Sequence, residues 1–170
     1  PGCATGVDRY EAGQAKTMDM DTLGLLLGSA ARSVSNKGIK KLSVKWAGGE
    51  ALMPLSLKLI REGQTIIQSL REQYSNVEIS QVILTNGSHL NEEMVAELKQ
   101  WNAHVAVSLW GIGEVNDKSR GVRREKDKYP NIVLGIERLH NAEIEYNINH
   151  VVTPGNARHF ADFIRAVWDT

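Results

Sequence analysis

The chain has 170 residues, of which 42% are hydrophobic and 24% charged. These are ordinary values for one globular domain, and they exclude a disordered, collagen-like or coiled-coil chain. The 20 Lys and Arg balance the 20 Asp and Glu, so no net field favours nucleic acid or an anionic membrane as a partner. No apolar run reaches the roughly 20 residues that span a bilayer. We therefore expect a soluble, cytoplasmic protein.

Cys3 is the only cysteine. It excludes an internal disulfide, and one thiolate cannot by itself hold a zinc ion or an iron–sulfur cluster. The five histidines do not show metal-ligand spacing on one helix face. Composition alone therefore predicts no metal centre made by this chain.

Hydrophobic periodicity predicts the first elements. Apolar residues at helical spacing indicate a helix over 17–34, with Thr17 as its N-cap and Asp19 in its first turn. A period of two indicates a strand over 42–46. Pro54 then begins a helix that runs to about Tyr74.

The strand-then-helix pattern repeats along the rest of the chain. Strands are predicted over 77–84, 104–109 and 144–152, and helices begin at Asn91, Pro130 and Asn156. The polar stretch 114–128 is predicted to be a solvated loop. In the last helix Phe160, Phe163, Ile164 and Val167 recur at the spacing of a buried face.

This order implies an α/β fold of parallel strands joined by right-handed crossovers. An open doubly wound sheet and part of a barrel both fit it. Several strands carry polar residues on one face, such as Ser43 and Lys45, or Glu145, Asn147 and Asn149. A barrel lumen tolerates such residues better than a flat buried sheet does, so we favour a partial (β/α) barrel with outer helices.

Each predicted strand ends in glycine and polar residues. In parallel α/β folds the carboxyl ends of the strands share one rim, where ligands bind. Glycines allow close backbone approach, and the polar side chains supply hydrogen-bonding groups. Any one cluster also fits an ordinary strand-to-helix turn, but together they predict one polar site. Trp46 and Trp110 are expected to face this rim, whereas Trp101 and Trp168 are expected to be core residues.

Five segments in this order carry recognisable motifs: 46–52, 84–90, 105–111, 117–120 and 149–153. They contain GGE, TNG and SLWG at the ends of successive strands, which is far more specific than GGE alone. Over residues 39–170 they resemble the radical S-adenosylmethionine (SAM) superfamily. The similarity is closest to peptide- and protein-modifying maturases, such as ribosomal-peptide and sulfatase maturases, which often carry a C-terminal SPASM or twitch extension.

The resemblance implies roles for individual residues. The backbone carbonyls of Gly48 and Gly49 and the carboxylate of Glu50 would bind the amino group of SAM. Ser108 matches a position that contacts the ribose or carboxylate of SAM. Arg120 matches an arginine that pairs with the SAM carboxylate.

Further rim residues follow from the same resemblance. Asn86 and Asn149 would line the SAM site, and Val151 and Val152 would pack against the adenine. Trp110 stands where the family commonly has Asp, so an aromatic wall would replace a polar contact. Catalytic residues are not identified. His150 is the histidine best placed for a substrate contact.

The family's 4Fe-4S cluster is held by a CxxxCxxC motif. The resemblance implies that Cys3 is the third ligand, provided that a cysteine precedes Pro1. Residues 1–170 would then be a radical SAM core domain truncated at both ends, lacking the last strand and the first strand with its two cluster cysteines. With one thiolate, the 170-residue chain alone is expected neither to hold a stable cluster nor to turn over.

The implied activity of the intact protein is that of an enzyme. A 4Fe-4S cluster would cleave SAM reductively to a 5′-deoxyadenosyl radical, which abstracts hydrogen from a peptide or protein substrate. A flavodoxin or ferredoxin would supply the electron. Two alternatives stay open: a non-catalytic, truncated or degenerate α/β module that binds SAM, a nucleotide or a partner protein, and a metal-independent barrel enzyme such as an isomerase or aldolase, for which Glu50 alone is a poor basis.

Overall fold

The computed structural model describes residues 18–122 and 125–168. In chain order its elements are α1 (Met20–Asn36), β1 (Lys41–Trp46), α2 (Pro54–Gln73), β2 (Glu78–Thr85), α3 (Glu92–Gln100), β3 (Ala103–Ser108), α4 (Glu114–Arg120), a 3-10 turn (Glu125–Asp127), α5 (Tyr129–Asn141), β4 (Tyr146–Asn149), a second 3-10 turn (Ala157–His159) and α6 (Phe160–Trp168). The predicted cluster ligand Cys3 and the predicted cap Thr17 lie outside the described residues.

The strands form a four-stranded sheet in the order β1-β2-β3-β4. β1 pairs in parallel with β2, with Lys41 opposite Glu78, and β3 pairs in parallel with β4, with Val105 opposite Tyr146. The order follows the sequence and never reverses, as in a barrel and unlike a doubly wound sheet. The predicted α/β fold of parallel strands and helices is confirmed, and the sheet formed by the described residues is open.

The chain divides into two compact units. Of the described residues, 18–83 and Trp101–His104 form the N-terminal unit, and Leu84–Gln100, 105–122 and 125–168 form the C-terminal unit. β2 and β3 contribute residues to both.

In the N-terminal unit, α1, α2 and β1 meet at Gly63. A β-carbon at Gly63 would stand 2.9 Å from the Trp46 ring and 3.1 Å from Leu23, so only glycine lets α2 approach this closely. Trp46 is buried there. The expectation that Trp46 faces the rim is therefore wrong, because its large ring fills the space beside Gly63.

A buried polar network supports the same core. Gln81 is 1% exposed, and its Oε1 accepts from Trp46 Nε1 at 2.9 Å. Its Nε2 donates to Gln64 Oε1 at 2.9 Å and to the carbonyl of Trp101 at 3.3 Å. Trp101 follows α3 and is half-buried, so it is not on the buried face of that helix. The buried amide is tolerated because hydrogen bonds satisfy it.

The N-cap of α1 differs from the prediction. The helix begins at Met20, and the carboxylate of Asp19 accepts from the backbone N–H of Thr22 at 2.7 Å. Asp19 is thus the cap rather than a first-turn residue. Both Thr and Asp can cap a helix, so composition alone did not decide between them.

In the C-terminal unit, the predicted helix starts are largely confirmed. The side chain of Asn91 caps α3 by accepting from the N–H of Met94 at 2.8 Å, and α5 has its proline in the first turn. A β-carbon on Gly135 of α5 would lie 2.8 Å from the carbonyl oxygen of Gly87. The helix therefore packs directly on the turn after β2.

Two predicted segments differ from the structure. The stretch 114–128, predicted as a loop, contains α4 and a 3-10 turn. The buried residue of α4 is the polar Asn116, so hydrophobic periodicity could not reveal this helix. The last strand, predicted over 144–152, spans only Tyr146–Asn149. In the segment that follows, the side chain of Asn156 accepts from the N–H of Thr153 and donates to the carbonyl of Val151.

The last helix is less buried than its spacing predicts. Phe163 is its buried residue, whereas Phe160, Ile164 and Val167 are each more than a third exposed and Trp168 is 87% exposed. Trp168 is therefore not a core residue. Among the described residues, none of the helices combines the length and the apolar character required to cross a bilayer.

Candidate functional site

Polar side chains lie on the exposed face of the strands in each unit. Ser43 and Lys45 of β1 are exposed in the N-terminal unit, and Asn147 and Asn149 of β4 are exposed in the C-terminal unit. These are the polar strand residues that led us to predict a barrel with a polar lumen.

Ser108 and Asn149 are direct register partners at the ends of β3 and β4. Paired residues of parallel strands project from the same face, so both side chains share that face. The N–H of Leu109 donates to the carbonyl of Asn149 at 3.0 Å and extends the pairing by one bond. The structure thus brings together two residues that the resemblance assigns to SAM.

Arg120 joins this pair from the end of α4. Its guanidinium donates to the carbonyl oxygen of Ser108, and its central carbon lies 5.8 Å from the ring centroid of Trp110. Gly121 ends α4 in the left-handed conformation, with φ of 62°. Ser108, Arg120 and Asn149 therefore form one polar cluster, with Trp110 beside it.

Asn86 lies in the turn after β2, within the same unit. Its Oδ1 accepts from the N–H of Ser88 at 2.8 Å and from the Ser88 hydroxyl at 2.7 Å. Gly87 has a positive φ of 84°, which suits glycine. This oxygen of Asn86 builds its own turn, and contact of Asn86 with a ligand stays a prediction.

Val151 and Val152 follow β4 and are 46% and 57% exposed. They leave apolar surface at the end of the strand, which suits a flat ring such as adenine. Their packing against adenine stays a prediction.

In the N-terminal unit, Gly48 and Gly49 follow β1 with φ of 110° and 57°. A β-carbon at either position would have nothing within 4 Å, so their backbone faces open space and the conformation itself requires glycine. Glu50 accepts from the N–H of Leu52 through Oε1 at 3.1 Å. The carboxylate is thus oriented by the turn that leads into α2.

Two buried asparagines near the polar cluster were missed as site residues. Asn116 and Asn156 are 0% and 1% exposed. Asn116 Oδ1 accepts from the N–H of Trp110 at 2.9 Å, and Asn156 Nδ2 donates to the carbonyl of Trp110 at 2.9 Å. Asn156 lies at the start of the 3-10 turn, but its side chain makes no cap bond there. The prediction that the Asn156 side chain caps the following helix is therefore wrong, because that side chain bonds to the backbone of Trp110 instead.

The C-terminal unit also contains an apolar cavity of about 370 Å³. Residues of α5, β4 and α6 line it, among them Tyr129, Ile136, Ile148 and Phe163. Burial raises the pKa of Tyr129 above 10.0. The predicted SAM residues do not line this cavity, so it is distinct from the polar cluster.

The described residues contain no group of three or more His, Cys, Asp or Glu that could hold a metal ion. Cys3 lies outside them, and it is the single thiol of the sequence. In the family that the sequence resembles, three thiolates hold the 4Fe-4S cluster, and the single cysteine of this sequence does not complete that ligand set.

We compared the chain with known proteins and found no protein-family model that matches it. It is 29% identical over 134 residues to a cysteine-type anaerobic sulfatase-maturating enzyme of Clostridium novyi, covering 79% of this chain and 35% of the relative. It is also 29% identical over 132 residues to a serine-type anaerobic sulfatase-maturating enzyme of Bacteroides thetaiotaomicron, covering 76% and 30%. The chain thus spans about a third of the length of these relatives.

Solved structures of similar fold are described as native anSMEcpe with bound AdoMet and a peptide. The complex with the Kp18Cys peptide matches with a TM-score of 0.72 and 21% identity, over 98% of this chain and 44% of that one. The complex with the Cp18Cys peptide gives 0.71 and 20%, over 99% and 44%. This likeness establishes the fold. The sequence relatives confirm the resemblance predicted from the motifs: this chain is similar in sequence to the anaerobic sulfatase-maturating enzymes.

Proposed function

We propose that the intact protein is a radical SAM enzyme that modifies a peptide or protein. One observation carries the proposal: Ser108, Asn149 and Arg120 meet at one strand end, and the family resemblance assigns a SAM contact to each of them. The sequence relatives are sulfatase-maturating enzymes, which supports the same reaction class.

The chemistry of the donor set fits SAM. The guanidinium of Arg120 complements a carboxylate, and a hydroxyl and an amide, from Ser108 and Asn149, complement the ribose or carboxylate oxygens. The exposed Val151 offers apolar surface for the adenine.

The N-terminal unit carries the groups that the family resemblance assigns to the amino group of SAM. Gly48 and Gly49 present backbone next to open space, and Glu50 carries a carboxylate oriented by its bond to Leu52. An ammonium group needs several acceptors, and carbonyls with a carboxylate supply them. We therefore keep the assignment of these residues to the SAM amino group.

The proposed chemistry follows the family. A 4Fe-4S cluster would supply the single electron for reductive cleavage of SAM to methionine and a 5′-deoxyadenosyl radical, and a hydrogen atom from the substrate would convert that radical to 5′-deoxyadenosine. Cys3 would supply one thiolate of that cluster. This chain's own described residues bind and orient SAM. A flavodoxin or ferredoxin as electron donor, and a cytoplasmic location, belong to the proposal.

The proposed substrate is a peptide segment with a cysteine or serine at the modified position. The relatives are of the cysteine and serine types, and the structural neighbours are described with bound peptides. The residues 1–170 would form the core domain of a longer enzyme.

The test uses the full-length protein, reconstituted anaerobically with iron and sulfide and supplied with SAM and a reductant. We expect 5′-deoxyadenosine, measured by mass spectrometry, to form at a rate that falls in Glu50→Gln. This isosteric change keeps an oxygen for the Leu52 N–H but removes the negative charge. A reconstituted cluster that yields no 5′-deoxyadenosine would overturn the proposal.

A non-catalytic module that binds SAM, a nucleotide or a partner protein is the second candidate. The observation that favours it is the single cysteine of the sequence. It predicts SAM binding without iron uptake and without 5′-deoxyadenosine. Iron quantification beside a SAM-binding isotherm on the same full-length sample separates the two functions.

A further inference from the structure

Three successive backbone carbonyls at the end of β3 each accept a hydrogen bond from a different side chain. Arg120 donates to Ser108 O, His150 Nδ1 contacts Leu109 O at 3.1 Å, and Asn156 Nδ2 donates to Trp110 O at 2.9 Å. We call these three side chains the carbonyl clamp. They come from α4 and from the segment after β4, so they join separate loops to one strand end.

The tautomer of His150 follows from its partner. A carbonyl oxygen only accepts, so Nδ1 must carry the hydrogen. In the neutral ring Nε2 is then an acceptor, and this atom is buried without a hydrogen-bond partner among the described residues. The ring centroid lies 4.2 Å from that of Phe163 and 5.3 Å from that of Phe160. An aromatic hydrocarbon would suit this position better than imidazole does.

Both polar atoms of the Asn156 side chain also make hydrogen bonds. Besides Trp110 O, its Nδ2 donates to Val151 O at 2.9 Å, and its Oδ1 accepts from the N–H of Thr153 at 2.7 Å. Asn156 therefore ties the end of β3 to the segment containing Val151. It is 1% exposed, so it does not contact a ligand itself.

We propose that His150 and Asn156 are positioning residues for SAM. They hold the backbone of residues 108–110 so that Ser108 and Arg120 are presented to the ligand without reorganisation. The inference rests on the proposed function. It replaces the expected substrate contact of His150 with a role that acts through the backbone of Leu109.

Two substitutions at His150 separate its ring from its N–H group. His150→Phe keeps a ring against Phe160 and Phe163 but removes the donor to Leu109 O. His150→Asn removes the ring but places an amide N–H the same number of bonds from the Cα as Nδ1. We expect His150→Phe to keep or raise the melting temperature while the Kd for SAM rises between about twofold and tenfold, which is what one neutral hydrogen bond is worth.

His150→Asn should show the opposite pattern, with a lower melting temperature and a Kd for SAM close to that of the wild type. Asn156→Asp removes both donor bonds of the amide and should raise the Kd for SAM. Its matched control is Asn131→Asp on α5, where the side chain donates to the carbonyl of Glu125 at 3.1 Å and is exposed. The control should leave the Kd unchanged.

The experiment measures SAM binding by calorimetry and amide hydrogen exchange of residues 109–113 in the full-length, reconstituted protein. We expect faster exchange of this segment in His150→Phe and Asn156→Asp only. If the wild type binds SAM and His150→Phe binds it equally well, the positioning role is wrong while the proposed function stands. If the wild type does not bind SAM, the proposed function fails and the inference fails with it.

Discussion

Gly135 of α5 and Gly87 of the turn after β2 are in direct contact: a β-carbon on Gly135 would lie 2.8 Å from the carbonyl oxygen of Gly87 and 2.9 Å from the β-carbon of Leu90. Backbone and β-carbon atoms cannot move aside as the tip of a long side chain can. The position of α5 therefore depends on the absence of a side chain at residue 135, and so does the turn that carries Asn86.

Gly135→Ala should destabilise the protein. Overpacking costs about 1–3 kcal/mol, which exceeds the helix-propensity gain of up to about 1 kcal/mol. The measurement is the free energy of unfolding in urea. Gly28→Ala in α1 is the control, because a β-carbon there meets nothing within 4 Å, and it should stabilise the helix. A Gly135→Ala protein as stable as the wild type would show that the contact is not tight.

Gln81→Leu should destabilise the N-terminal unit by about 1–3 kcal/mol, because the Trp46 N–H would stay buried without an acceptor. Equilibrium unfolding measures this loss. A double-mutant cycle with Trp46→Phe should give a cost below the sum of the single costs. Gln68→Leu on the exposed face of α2, where the amide contacts Glu72, is the control. Purely additive costs would contradict the Trp46–Gln81 bond.

Asp19→Asn should change how stability depends on pH. The backbone N–H of Thr22, and then the Thr22 side chain, hold the pKa of the Asp19 carboxyl below its ordinary 3.8. The ionised cap therefore stabilises the folded protein above pH 3.8, and this contribution is lost as the pH falls through the lower folded-state pKa. Asn keeps an acceptor oxygen but does not titrate.

The measurement for this cap is the difference in unfolding free energy between wild type and Asp19→Asn across acidic pH. We expect the advantage of the wild type to shrink as the pH falls below 3.8. A difference that is constant over this range would exclude titration of Asp19 as its source.

Arg120→Lys should weaken SAM binding roughly tenfold or more, since a lysine cannot reproduce the planar fork of donors beside Ser108 and Trp110. Calorimetry on the full-length, reconstituted protein measures it. Arg165→Lys in α6, whose guanidinium pairs with Asp162 at 2.9 Å on the surface, should bind SAM as the wild type does. If Arg120→Lys binds SAM as tightly as Arg165→Lys does, Arg120 does not belong to the proposed SAM site.

The sequence identified some residues of the candidate site and missed or misplaced others. Ser108 and Asn149 were assigned to the site by the family resemblance, and the parallel register places them side by side. Asn116 and Asn156 were not predicted as site residues, because a buried asparagine carries no periodic signal. Trp46 was misplaced, since alternation along β1 does not show which face packs against Gly63.

By itself, the sequence determined the α/β alternation, the helix starts at Pro54 and Asn91, and the order of the glycine-rich strand ends. Those features depend on residues two to four positions apart, where backbone geometry dictates the pattern. Only the tertiary structure decided that Asn156 would bond to Trp110, 46 residues away. Such a bond depends on where two loops end after the strands have paired, and local spacing carries no record of that distance.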